Sequence, residues 1–167
     1  MALKLGMPND QARPASGGES FRFGELFVHP NFDLGQAERE IVRVVRAPGD
    51  ERIVGEEWHA DTTMMPEPPM GSILHAIEVP PYGADTLFAN QALAFATLSP
   101  GMQRMLRGLD AVHSARDAYS PKMQGIHDRF EGMTVTTSDD ANAIQVHPVV
   151  RRHVETGADT LFVNQQY

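Results

Sequence analysis

Apolar and polar residues alternate most regularly over residues 71–79 (GSILHAIEV). This predicts a strand with Ile73, His75, Ile77 and Val79 on one face and Ser72, Leu74, Ala76 and Glu78 on the other. Residues 41–47 (IVRVVRA) are apolar and β-branched with two outward Arg, which predicts a second strand. Shorter strands are expected at 58–61, 86–89, 111–115, 143–150 and 161–164. Helical spacing is confined to the middle of the chain. Asn90 is placed to cap a small helix over 92–98, and Ser99-Pro100 opens another with Pro100 as its first residue. That second helix puts Met102, Met105, Leu106 and Leu109 on one face and ends near Asp110. Turn chemistry separates these elements at 47–50 (APGD) and 80–83 (PPYG), and 64–69 (MMPEPP) reads as a rigid loop. Residues 117–142 read as polar loop, and 1–20 as a poorly ordered lead before a domain spanning 21–167. The resulting class is mainly β with a few short helices.

Composition narrows the function classes. The 14 Lys and Arg against 22 Asp and Glu leave a net charge of −8. Such a chain has no basic footprint for nucleic acid and no polybasic stretch for an anionic membrane surface. No Cys is present, so any metal site must use His and carboxylate, and a disulfide scaffold and a thiol nucleophile are excluded. No apolar run approaches the roughly 20 residues of a membrane span, and residues 1–14 are too poor in apolar positions for a signal peptide. A cytoplasmic location is the expectation. The methionines, including Met64, Met65, Met70, Met102 and Met105, read as core gap-fillers, and His75 as a core-facing histidine. His113 and His127 have no evident partner, and Glu56-Glu57 reads as a solvated rim.

Two features carry possible chemistry. On an extended segment His59 and Asp61 point to one side and can hold one metal ion from adjacent corners. A third ligand would complete the 2-His-1-carboxylate face that leaves open positions on a non-haem iron. His-x-Asp alone is common: 7 His and 11 Asp in 167 positions give roughly 0.5 matches by chance. The same pair can equally be a hydrogen-bonded surface pair. The second feature is a repeat. GADTLFANQ (83–91) and GADTLFVNQ (157–165) agree at all but one position. Two equivalent turn-strand units account for it, and so does a ligand contact from one of the two Thr hydroxyls.

The context of His59 resolves more. Trp58-His59-Ala60-Asp61 is similar to the W-H-[TAS]-D motif of the taurine dioxygenase (TauD/TfdA) family, and residues 83–88 to its G-[GA]-D-T-L-[WF] motif. Residues 147–153 and 161–164 are similar to a third family stretch, H-P-V-V-R-x-H followed by L-[FY]-V-N. The resemblance runs from about Arg22 to the last residue. It implies a double-stranded β-helix (a cupin-like jelly roll), present in part, and an Fe(II)- and 2-oxoglutarate-dependent dioxygenase. It makes His59 and Asp61 catalytic iron ligands and Thr86 a hydrogen-bond donor to the 2-oxoglutarate side-chain carboxylate. It places His29, Phe32, Gly55, Tyr119 and Tyr167 in the substrate pocket, with Thr160 structural.

The family's distal iron His and its 2-oxoglutarate Arg belong to a later W-D-N-R-x-x-x-H segment that these residues do not contain. The expectation is therefore a family domain cut at both ends. His147 and His153 are not expected to complete the triad. The implied reaction hydroxylates a small, anionic substrate, a sulfonate or carboxylate, using O2 and releasing succinate and CO2. Phe32 and Gly55 in place of polar residues count against taurine itself. The rival readings are a non-catalytic fragment and a cupin-like binding protein without oxygen chemistry. The chain alone is expected to be poorly stable, oligomeric or aggregation-prone, because a sandwich without its closing strands exposes edges and an apolar face.

Overall fold

The computed structural model describes residues 2–5, 25–32, 39–50, 55–132 and 134–167. The strands form three separate small antiparallel sheets. β1 (Ala2–Leu5) is the centre of the first, flanked by β2 (Ile41–Val42) and β3 (Gly71–Leu74). β4 (Asp110–Ser114) and β5 (Ile144–Pro148) form the second, with Val112 opposite Val146. β6 (Val150–Arg152) and β7 (Asp159–Leu161) form the third, with Arg151 opposite Thr160. Strand β1 falls within the expected lead; residues 6–20 lie outside the described residues, as does most of 21–28 up to Gly24.

Helices fill the middle of the chain as the spacing predicts. α1 (Gln91–Ala96) starts one residue earlier than expected, with the Asn90 side chain accepting from the Leu93 amide at 2.9 Å. α2 (Pro100–Leu106) has Pro100 as its first residue, and the Ser99 hydroxyl accepts from the Met102 amide at 3.3 Å. Proline costs nothing there because the first amides of a helix lack an internal partner. α1 packs on β7. Arg107, just after α2, reaches Asp159 at 2.8 Å and lies over the Phe95 ring at 4.8 Å. Residues 117–142 are not loop alone. They hold part of α3 (Arg116–Tyr119), α4 (Gln124–His127) and two 3-10 turns, Pro121–Met123 and Asp139–Asn142.

Several expectations are corrected. The strand over 41–47 pairs only at Ile41–Val42, and that over 71–79 stops at Leu74. Residues 58–61 and 86–89 form no ladder. Pattern predicts an extended chain, but a strand also needs a neighbour offering backbone donors and acceptors. Both faces of 72–79 are exposed, His75 and Ile77 included, so no core-facing side exists there. Met70, Met102 and Met105 are exposed as well, whereas Met64 packs on the core. The described strands do not close into a jelly roll.

The buried centre is small and unusually polar. Ala115, Tyr119, Val135 and Ala141 form one cluster, with Phe32, Met64 and Tyr167 packed against it. Eight polar or charged residues are buried among the described residues, against seven apolar ones. Each such group must find a partner or cost free energy, so hydrogen bonds decide how this interior is arranged. Among the described residues no helix is long and apolar enough to cross a membrane.

Candidate metal centre and its cavity

The segment from Gly55 to Met65 carries His59 and Asp61 between two left-handed residues. Gly55 has φ +79°, a conformation open to glycine at little cost, and a Cβ there would come 3.2 Å from His59 Cε1. Thr62 has φ +56° and is fully buried. A β-branched residue in that region is strained and persists only where its surroundings impose it. The surroundings do so through the next residues. The Met65 amide donates to the Thr62 carbonyl at 3.0 Å. Asn164 Nδ2 donates to Thr63 Oγ1 at 3.0 Å, and His113 Nδ1 lies 2.9 Å from the same oxygen. His147 Nε2 donates to the Met65 carbonyl at 3.0 Å. β4, β5 and the segment after β7 thus clamp the turn that carries Asp61.

His59 is oriented by its own neighbourhood. Its Nδ1 donates to the Glu57 carbonyl at 2.7 Å, since a carbonyl can only accept. Nε2 then faces Asp61 Oδ1 at 3.5 Å, and both side chains keep solvent access. In the neutral imidazole two acceptor atoms converge there, an arrangement that a proton or a cation between them satisfies. Metal-bound histidines characteristically donate the other ring N–H to a carbonyl in this way. The pair therefore fits two corners of a metal site. Among the described residues no third His, Asp or Glu joins them. His147 is occupied with Met65, and His153 accepts from the Thr156 amide at 3.3 Å in the β6–β7 turn.

A cavity of about 190 Å³ opens beside the pair, with Gly55, Glu57 and Tyr119 in its lining. Phe32 forms another wall. The His29 ring lies edge-on to Phe32 at 4.6 Å and to Tyr119 at 5.4 Å. Its Nδ1 accepts from the Asn31 amide, and Asn31 binds the Thr136 carbonyl through Nδ2, which fixes this strand of chain across the site. Tyr119 and Tyr167 approach with hydroxyls 3.4 Å apart. Burial raises the pKa of the Tyr119 phenol; the Tyr167 bond opposes this and the Asp61 charge adds to it. The Tyr167 phenol is raised far more, first by burial, then by Tyr119 and Asp61. Both stay neutral near Asp61, one hydroxyl donating to the other.

His29, Phe32, Gly55, Tyr119 and Tyr167, widely spaced in the chain, thus gather at one place with His59 and Asp61. Thr86 does not line the cavity; it sits on the exposed irregular stretch 75–90. Its counterpart Thr160 donates to the Arg151 carbonyl at 2.9 Å within the β6–β7 sheet. The clamp formed by Thr63, His113 and Asn164 escapes sequence reasoning. The only signal was a histidine inside a predicted strand, which carries no mark of its partner 50 residues away.

The chain matches the Taurine catabolism dioxygenase TauD, TfdA family over residues 11–167. An alpha-ketoglutarate-dependent sulfonate dioxygenase of Saccharomyces cerevisiae is 29% identical over 154 residues, covering 87% of this chain and 35% of the relative. An alpha-ketoglutarate-dependent sulfate ester dioxygenase of Pseudomonas putida is 29% identical over 142 residues, covering 83% and 45%. A (S)-phenoxypropionate/alpha-ketoglutarate-dioxygenase of Delftia acidovorans is 31% identical over 114 residues, covering 68% and 38%. The chain spans less than half the length of each of these relatives. By the extent of the family match, this chain belongs to the taurine catabolism dioxygenase TauD, TfdA family.

Proposed function

We propose that this chain carries the proximal part of an Fe(II)- and 2-oxoglutarate-dependent dioxygenase site. Its substrate class is a small organic anion, in line with the sulfonate, sulfate ester and phenoxypropionate in the relatives' names. The observation that carries the reading is the convergence of His59 Nε2 and Asp61 Oδ1 at 3.5 Å, with Nδ1 already committed to Glu57. Bound iron would supply the activation of O2 that oxidises 2-oxoglutarate to succinate and CO2 and hydroxylates the substrate. The protein's residues position and shield. His59 and Asp61 hold the metal, Glu57 fixes the imidazole tautomer, and the Thr63 clamp fixes the turn. His29, Phe32, Gly55, Tyr119 and Tyr167 shape the substrate side, with one phenol of the hydrogen-bonded Tyr119–Tyr167 pair left to donate outward. Thr86 is the donor to the 2-oxoglutarate side-chain carboxylate. The jelly roll of the family and a third iron ligand are part of this proposal.

The test is an anaerobic titration of the purified chain with Fe(II) and 2-oxoglutarate, following the weak visible band of the chelate. The expected result is a saturable band, absent in His59→Ala and Asp61→Ala. Thr86→Val should weaken 2-oxoglutarate about fivefold, the equivalent of one neutral hydrogen bond of about 1 kcal/mol. No band in a folded sample would instead support the non-catalytic reading.

A further inference from the structure

Gln166, Tyr167 and Tyr119 form a short chain of polar contacts at the cavity beside His59. Gln166 Nε2 donates to the Tyr167 hydroxyl oxygen at 3.4 Å, and that oxygen lies 3.4 Å from the Tyr119 hydroxyl. Gln166 and Tyr119 line the cavity, whereas Tyr167 does not. Each phenol has one proton to give, and by distance alone either could donate to the other. Gln166 breaks the tie, because it already occupies a lone pair of the Tyr167 oxygen. If Tyr119 donated there as well, the Tyr167 proton would need a further acceptor, and the described residues offer it none. Burial is the first cause of the raised Tyr167 pKa, and a buried donor without an acceptor is costly. With Tyr167 donating to Tyr119, the proton left over is that of Tyr119. It has no other partner among the described residues, and it belongs to a side chain on the cavity wall.

We propose that Tyr119 is the specificity-determining donor of this cavity, giving its hydroxyl proton to an acceptor oxygen on the substrate, with Gln166 and Tyr167 as the positioning residues that set the direction of the relay. The ligand class is a compact apolar body bearing a carbonyl, sulfonyl, ether or carboxylate oxygen. The compact body follows from a volume of about 190 Å³ and from walls supplied by Phe32, Ile126, Phe130 and Val135. As a statement about the substrate this rests on the dioxygenase reading of His59 and Asp61. As a statement about what the cavity binds it does not.

The experiment uses the metal-free 167-residue chain with cyclohexanone and methylenecyclohexane, which match in size and differ in the acceptor oxygen. NMR titration gives both affinities, and the amide spectrum shows that each variant is folded. Tyr119→Phe should weaken cyclohexanone about fivefold, the worth of one neutral hydrogen bond, and leave methylenecyclohexane unchanged. Tyr167→Phe should weaken cyclohexanone less, because the Tyr119 proton remains. Gln166→Glu presents Tyr167 with an acceptor in place of a donor and so reverses the relay. Cyclohexanone should then bind as it does to Tyr119→Phe, and adding Tyr119→Phe to Gln166→Glu should cost nothing more, a result that a merely structural role of Gln166 does not produce. Where a variant fails to fold, the unmodified chain decides: cyclohexanone should shift the Tyr119 Cζ resonance with occupancy, and methylenecyclohexane should not. The proposal is overturned if cyclohexanone does not bind, if Tyr119→Phe leaves its affinity unchanged, if Tyr167→Phe is the more damaging of the two, or if the Cζ resonance stays in place. Because no metal is present, failure of the iron reading leaves these outcomes untouched. A chain that forms the chelate but binds cyclohexanone equally well with Tyr119→Phe would overturn this inference alone.

Discussion

Thr63 holds more of the site together than its size suggests. Its hydroxyl is met by Asn164 at 3.0 Å and by His113 at 2.9 Å, so one oxygen joins the turn after Asp61 to two distant segments. Replacing it with the nearly isosteric valine keeps the volume and takes this partner from the buried His113 and the half-buried Asn164. The expected loss is about 1–3 kcal/mol, read as a shift of the urea midpoint. His113 adds a pH dependence. Its pKa is held below the ordinary 6.5, first by burial and then by the positive charge shared with His147 and Arg151, with Phe162 opposing. The unfolded chain binds this proton more readily than the folded one. The contribution is therefore fully present above pH 6.5 and is lost as pH falls through that value toward the folded pKa. The urea midpoint should fall between pH 6.5 and 5.5, with the His113 Cε1 proton resonance titrating at a lower pH in the folded chain than in the unfolded one. A midpoint flat across that interval would contradict the assignment.

The two copies of the repeat separate local from tertiary causes at the level of elements. Both begin with a left-handed glycine, Gly83 at φ +78° and Gly157 at +69°. Both carry a penultimate asparagine whose side chain accepts from the amide three residues on, Leu93 in the first copy and Tyr167 in the second. Turn and cap chemistry is thus written into the nine residues themselves. The strand between them is not. Residues 159–161 form β7 because β6 lies alongside, with Gly157 donating to the His153 carbonyl at 2.8 Å to close the turn. The same Asp-Thr-Leu at 85–87 has no ladder and is exposed. Gly157→Ala should accordingly cost about 1 kcal/mol of stability by forcing a left-handed alanine inside a paired turn. Gly83→Ala should cost less, since the unpaired segment can relax; chemical denaturation of the two variants compares them directly.

At the scale of the molecule the sheets stay small and the apolar surface stays large. Ile77 is 71% exposed, Tyr82 86%, Leu87 71% and Phe88 89%, all within one stretch leading to α1. Large apolar side chains exposed this densely along one segment favour association. The 167-residue chain should self-associate in sedimentation velocity, with the larger species growing as concentration rises. Phe88→Lys with Leu87→Glu should shift it toward monomer.

Much of the site was legible beforehand because its signals are local. The His-x-Asp spacing, the glycine at a left-handed turn, the Asn and Ser-Pro caps, and the family motifs each depend on a few neighbouring residues. The lack of Cys limits any metal site to His and carboxylate from the sequence alone. What only the tertiary structure decided depends on partners far along the chain. Whether an alternating segment becomes a strand is settled by an adjacent edge, which among the described residues 75–90 lack and 159–161 have. Asn164 reaches Thr63 across 101 positions, and Asn31 reaches Thr136 across 105. Backbone hydrogen-bonding groups and buried polar atoms must be satisfied somewhere. No pattern within a short window states where, so the clamp behind Asp61 emerged only from the folded chain.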